Sequence, residues 1–103
     1  MTNAIKSPEK CQTMPEVRTG VDATDRALMT LLEQRFGYMR AAARIKQDRD
    51  SVRDEARKRA VIEAAMADAI ERGLPGDVIA EIWDRLVEGS IAYELAEWDR
   101  QRA

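Results

Sequence analysis

The sequence predicts an all-α protein of three helices, the first of them long. Three observations carry this. Apolar residues recur at steps of three and four, the period of a helix, as in Val17, Val21, Thr24, Leu28, Leu31, Arg35, Met39, Ala42 and Lys46. The breaks are few and well marked: a polar run at 47–51 and the turn Gly73-Leu74-Pro75-Gly76. No segment alternates apolar and polar residues with period two, so no sheet is expected.

Each element follows from local signals. Residues 1–14 read as an N-terminal tail, with Pro8 and Pro15 limiting early helix, and 15–103 as one helical domain. The first helix is expected over 15–47, because proline suits a first-turn position. Gly20 and Gly37 each cost about 1 kcal/mol of helix propensity, which the flanking pattern outweighs. The 47–51 run reads as a loop, with Asp50 or Ser51 capping a second helix over 52–72. Gly73 is a natural stop, extended by Pro75-Gly76. Asp77 suits the positive end of a third helix, expected over 77–100.

Composition narrows the function classes. The 103 residues suffice for one domain with a modest core. With 45% hydrophobic and 35% charged residues, the outer faces of the helices are heavily charged. A net charge of −2 argues against a general role on nucleic acid or a membrane surface. There is no apolar run of about 18 residues to span a membrane, and the N-terminus lacks a signal peptide's apolar core, so a cytoplasmic location is expected. Cys11 is the only cysteine and there is no histidine, which excludes an internal disulfide and a Cys/His metal site. Without histidine, any catalysis must use carboxylates, cations and positioning.

The first helix would run about 50 Å at 1.5 Å per residue, against a radius of gyration of about 13 Å for a domain of this size. Helices this unequal in length leave part of the apolar stripe uncovered within one chain. The simplest solution is a second copy, an intertwined homodimer with its long helices packed together. A continuous coiled coil is the competitor, but the turn at 73–76 breaks its heptads.

Polar residues interrupt the apolar stripes in a consistent way. Arg35 and Lys46 lie eleven residues apart, close to three turns, and project from one side of the helix. Facing a core, two such cations are costly unless neutralised, and no Asp or Glu shares their stripe. Either they snorkel to water or a small anion binds between helices. On the third helix the stripe reads Ile79, Trp83, Leu86 or Val87, Ser90, Glu94, Trp98. Ser90 and Glu94 share one face. Two roles are open to Glu94: burial favours a neutral acid able to donate a hydrogen bond, and a nearby cation favours an ion pair with Lys46 or Arg35.

On the second helix Asp54, Arg57, Val61 and Ala65 share a face, which makes Arg57 a third inward cation candidate. Arg53, Lys58 and Arg59 are expected to be solvated. Arg18 lies about 100° round the first helix from Arg35, so it would serve a site in the partner of a dimer rather than in its own chain. Arg18, Arg35, Lys46 and Arg57 with Ser90 and Glu94 make a cationic pocket with one acid. It suits a small dicarboxylate, since arginine binds carboxylates bidentately.

The matching runs are Val17-Arg18, Val21-Asp22-x-x-Asp25, Leu31-Leu32-Glu33-Gln34-Arg35, Tyr38-x-x-Ala41-Ala42-x-x-Ile45-Lys46, Val52-Arg53-Asp54 with Arg57, and Gly89-Ser90-Ile91-x-x-Glu94. In these the chain resembles the all-helical class of chorismate mutases, including the related isochorismate-pyruvate lyases. The lyases are also similar in the Ser7-Pro8-Glu9-x-Cys11 start and from Ile91-Ala92 through Trp98. The resemblance implies an intertwined dimer of three-helix subunits, without a cofactor, in aromatic amino acid biosynthesis. By residue match, Arg35 would bind one substrate carboxylate and Arg18 of the partner subunit the other. Lys46 would contact the ether oxygen and a carboxylate. Arg57 would add a cation, Ser90 would help hold a carboxylate, and Glu94 would donate to the ether oxygen when protonated. One position departs: where many mutases carry a Glu for the ring hydroxyl, this chain has Lys58, leaving Asp54 for that contact. The expected activity is chorismate mutase, with isochorismate-pyruvate lyase as the alternative and a non-catalytic helical dimer binding an anion or partner as a third.

Overall fold

A capping box starts the first helix. Thr13 Oγ1 accepts from the Glu16 N–H at 3.3 Å, and Glu16 Oε1 accepts from the N–H of Gln12 and Thr13 at 2.8 and 3.1 Å. The resulting α1 spans Met14–Ile45 in this computed structural model, which describes residues 5–103. A 3₁₀ turn at Pro8–Lys10 precedes it and another at Arg49–Ser51 follows. Then come α2, Glu55–Glu71, and α3, Gly76–Gln101. Among the described residues there is no strand, so the fold is all-α with a long first helix. No helix among them is long and apolar enough to cross a membrane. The chain forms two units, one ending at Phe36 and the other Gly37–Ala103, with the division inside α1.

In the first unit, Lys6 pairs with Glu16. That bond, with the N–H of Gln12, holds the Glu16 carboxyl down at about 2. The apolar stripe is uncovered: Val17 is 37%, Val21 52%, Leu28 52% and Leu31 60% exposed. The expected tail is therefore partly structured, since residues 8–10 form a turn and the helix begins at Met14 with Pro15 second. The tail's first four residues lie outside those described.

In the second unit, α2 and α3 pack as a hairpin around Val52, Val87 and Ile91, with Val61, Leu95 and Trp98 against them. The hairpin turn is a Schellman motif: the Leu74 N–H bonds Ala69 O at 2.8 Å and the Gly73 N–H bonds Ile70 O at 3.1 Å. Gly73 supplies the left-handed conformation this needs, at φ 74°. A methyl group at Gly76 would stand 3.0 Å from Ile70 Cγ1, so glycine lets the two helix ends approach.

Two boundaries correct the sequence reading. The cap of α2 is Asp54, whose side chain accepts from the Arg57 N–H at 3.0 Å, and not Asp50 or Ser51. The segment before it folds as a 3₁₀ turn because Asp48 accepts from the Asp50 N–H at 3.1 Å. Val52 is then turned into the core, 5% exposed, and α2 begins three residues later at Glu55. At the other end of that segment, α1 stops at Ile45, although the Lys46 N–H still bonds Ala42 O at 2.8 Å.

Candidate active site

Helical spacing on α3 brings Ser90, Glu94 and Trp98 onto one stripe, as the sequence suggests. Ser90 and Glu94 are buried, at 3% and 4% exposure, beside Val87 and Ile91. The end of α1 delivers Lys46 to this stripe, and its Nζ lies 2.8 Å from Glu94 Oε2. Of the roles open to Glu94, the ion pair with Lys46 is thus present in the chain by itself. The contact lies off the direction of a hydrogen bond, so buried Oε2 has no hydrogen-bond partner. Ser90 Oγ donates to Leu86 O at 2.7 Å, a turn earlier on the same helix.

The backbone of Lys46 is held as well. Its carbonyl accepts from the Trp98 indole N–H at 3.0 Å and from the Arg102 guanidinium at 2.7 Å. Lys46, Ser90 and Glu94 therefore form one local constellation. Asp54 and Arg57 belong to the same unit at the N-terminus of α2, where both are exposed and Asp54 acts as the cap. Arg18 and Arg35 belong to the first unit, Arg18 exposed and Arg35 half-buried.

Lys58 differs from the solvated reading, whereas Arg53, with its side chain 45% exposed, agrees with it. Lys58 Nζ lies 2.7 Å from Glu88 Oε2 and 3.1 Å from Asp84 Oδ1, with its side chain only 22% exposed. Arg53 grips the same Glu88 bidentately at 2.8 and 3.1 Å. The Arg53 guanidinium first, and the Lys58 ammonium with it, hold the Glu88 carboxyl down at about 2. The lysine that stands where the resemblance leads one to expect a Glu thus ties α2 to α3.

Sequence reasoning missed Arg102 and the hydrogen-bonding role of Trp98. The signal was present in the four-residue spacing of Glu94, Trp98 and Arg102, which continues the stripe to the end of the helix.

The profile of the family described as Chorismate mutase type II matches residues 17–95. The isochorismate pyruvate lyase of Pseudomonas aeruginosa is 24% identical over 98 residues, which cover 95% of this chain and 97% of that protein.

Proposed function

The chain belongs to the chorismate mutase type II family, and from that premise we propose that it rearranges chorismate to prephenate as a homodimer with two shared sites. The observation that carries the reading is the Lys46–Glu94 pair, a cation beside a buried carboxyl oxygen with no hydrogen-bond partner. The rearrangement is unimolecular and pericyclic. It needs no nucleophile, only a compact reactive conformer and stabilisation of negative charge growing on the ether oxygen as its C–O bond breaks. Arg35 and Arg18 of the partner subunit clamp the two carboxylates and select that conformer. Lys46 and the neutral form of Glu94 stabilise the ether oxygen. Ser90 and Arg57 support the carboxylates, and Asp54 takes the ring hydroxyl. The uncovered stripe of Val17, Val21, Leu28 and Leu31 supports the dimer, because a second α1 would remove it from water.

A second reading, isochorismate-pyruvate lyase, is favoured by the nearly full-length likeness to the Pseudomonas protein. The same cations beside the ether oxygen would serve the loss of pyruvate from isochorismate, leaving salicylate. The test is to incubate the purified protein separately with chorismate and isochorismate and to identify the products by chromatography. Prephenate from chorismate supports the proposal. Salicylate and pyruvate from isochorismate, with no prephenate from chorismate, replace it with the lyase. No turnover of either leaves a non-catalytic helical dimer.

A further inference from the structure

The last turn of α3 is built to grip the last turns of α1. Helix ends leave carbonyls without intrahelical donors, and the C-terminus of α1 carries the negative end of its dipole. Three donors from α3 address carbonyls spaced three residues apart there. Gln101 Nε2 reaches Arg40 O at 3.4 Å, one Arg102 nitrogen reaches Ala43 O at 3.1 Å, and the other reaches Lys46 O at 2.7 Å. The Trp98 indole N–H adds a second bond to Lys46 O at 3.0 Å. The Arg102 guanidinium is itself fixed, stacked 4.1 Å from the centre of the Trp98 ring and donating to Trp98 O at 3.2 Å. Arg49 and Asp99, paired at 2.8 and 3.1 Å, hold the next stretch of chain to the same turn of α3.

Glu94, Trp98 and Arg102 follow one another at four-residue steps, so one stripe of α3 meets Lys46 at both its ends: Glu94 at the ammonium, Trp98 and Arg102 at the carbonyl. Lys46 lies just beyond the last helical residue: its N–H still bonds Ala42 O, but its carbonyl is held from α3 rather than by a donor within α1. A long, flexible side chain amplifies any looseness at its Cα into a displacement of Nζ. We propose that Arg102 is a positioning residue for Lys46: its planar fork spans the Ala43 and Lys46 carbonyls, clamps the end of α1 and so aims the ammonium at the reacting ether oxygen. The proposal rests on the reading that Lys46 acts on the substrate, and Arg102 itself touches none of the reacting atoms. Arginine is needed because a lysine ammonium is a point donor that cannot bridge two carbonyls and stack on an indole at once.

The experiment compares wild type, Arg102→Ala, Arg102→Lys and Gln101→Ala. Three quantities are read: kcat and KM on the substrate that wild type turns over, amide hydrogen exchange at residues 46–48, and thermal stability. For Arg102→Ala we expect kcat to fall roughly 10- to 100-fold with KM within about threefold, because misplacing a transition-state contact costs more than loosening ground-state binding. Exchange at 46–48 should accelerate while exchange at the α2–α3 turn stays unchanged. Arg102→Lys should recover part of kcat, and Gln101→Ala, which loses a longer bond farther from Lys46, should leave kcat close to wild type. Unchanged kcat, or a loss confined to KM, overturns the proposal. If wild type turns over neither substrate, the functional reading fails; exchange at 46–48 then decides the clamp alone, and an unchanged rate overturns it. Should Arg102→Ala not fold, Arg102→Lys carries the test by the same criteria, with wild-type kcat and exchange overturning it.

Discussion

Lys46 and Glu94 meet at 2.8 Å but share water unequally: the lysine side chain is 31% exposed and the glutamate side chain 6%. The pair therefore joins a buried carboxyl to a cation that is partly open to water. A dicarboxylate arriving from solvent would meet the ammonium first. The glutamate, buried with Ser90 on α3, presents almost no surface to solvent.

Removing only the lysine should expose this asymmetry. Lys46→Met leaves Glu94 buried without its counter-charge and should destabilise the protein by about 1–3 kcal/mol. Adding Glu94→Gln to that variant should restore more than half of the loss, since the stranded charge is then gone. Urea denaturation of the two single variants and the double variant gives the coupling directly. Additive effects would mean that the two residues do not stabilise each other.

The long helix, the glycine stop and the inward stripe of α3 were legible in the sequence because each is a local rule repeated over several turns. Ser90 and Glu94 were found by spacing alone, four apart on a stripe of apolar residues of which Val87 is buried in the structure. The cap of α2 was misread because Asp48, Asp50, Ser51 and Asp54 are all competent caps. The choice fell to Asp54 when Val52 was drawn into the core, a tertiary event. Lys58 was misread for the same reason: its partners Asp84 and Glu88 lie on another helix, about 30 residues away, where helical periodicity has no reach. The capping box at Thr13 and Glu16 was local and could have been seen, but Pro15 drew the boundary to itself.

The Glu88 cluster predicts a defined dependence of stability on pH. Arg53 and Lys58 lower the Glu88 carboxyl from an ordinary 4.5 to about 2 in the folded protein. A lowered folded value means the unfolded state takes up the proton first as pH falls. The stabilisation is fully present above the unfolded value and is lost as pH drops from there towards about 2. Thermal melting of wild type and Glu88→Gln should differ by a constant amount above about pH 5 and converge below it. Glu16, held equally low by Lys6, titrates in the same window in both proteins and cancels in the difference. A gap that persists unchanged to low pH would show that Glu88 contributes through packing rather than charge.

Arg18 and Arg35 test the shared site of the proposed dimer. Each alanine variant alone should lose about 100-fold or more in kcat/KM, by removal of a charge-assisted bidentate contact. Mixed and allowed to exchange subunits, the two should regain part of the activity. A mixed dimer has one site with both arginines and one with neither. Absence of rescue in samples where mass spectrometry detects heterodimers would place both arginines in sites built from one chain.

Glu94→Gln separates proton donation from ion pairing. A carboxyl that must donate to the ether oxygen works only as the neutral acid, so turnover should fall about tenfold per pH unit once that acid ionises in the complex. Glutamine has the same shape and carries a donor at every pH. Its profile should be flat where that of the wild type declines, and the variant should overtake wild type at the alkaline end. The measurement is kcat against pH for both proteins at saturating substrate, with KM followed to separate binding from chemistry. Parallel profiles would remove the proton-dependent donor from the mechanism and leave Glu94 as the buried partner that holds the Lys46 ammonium in place.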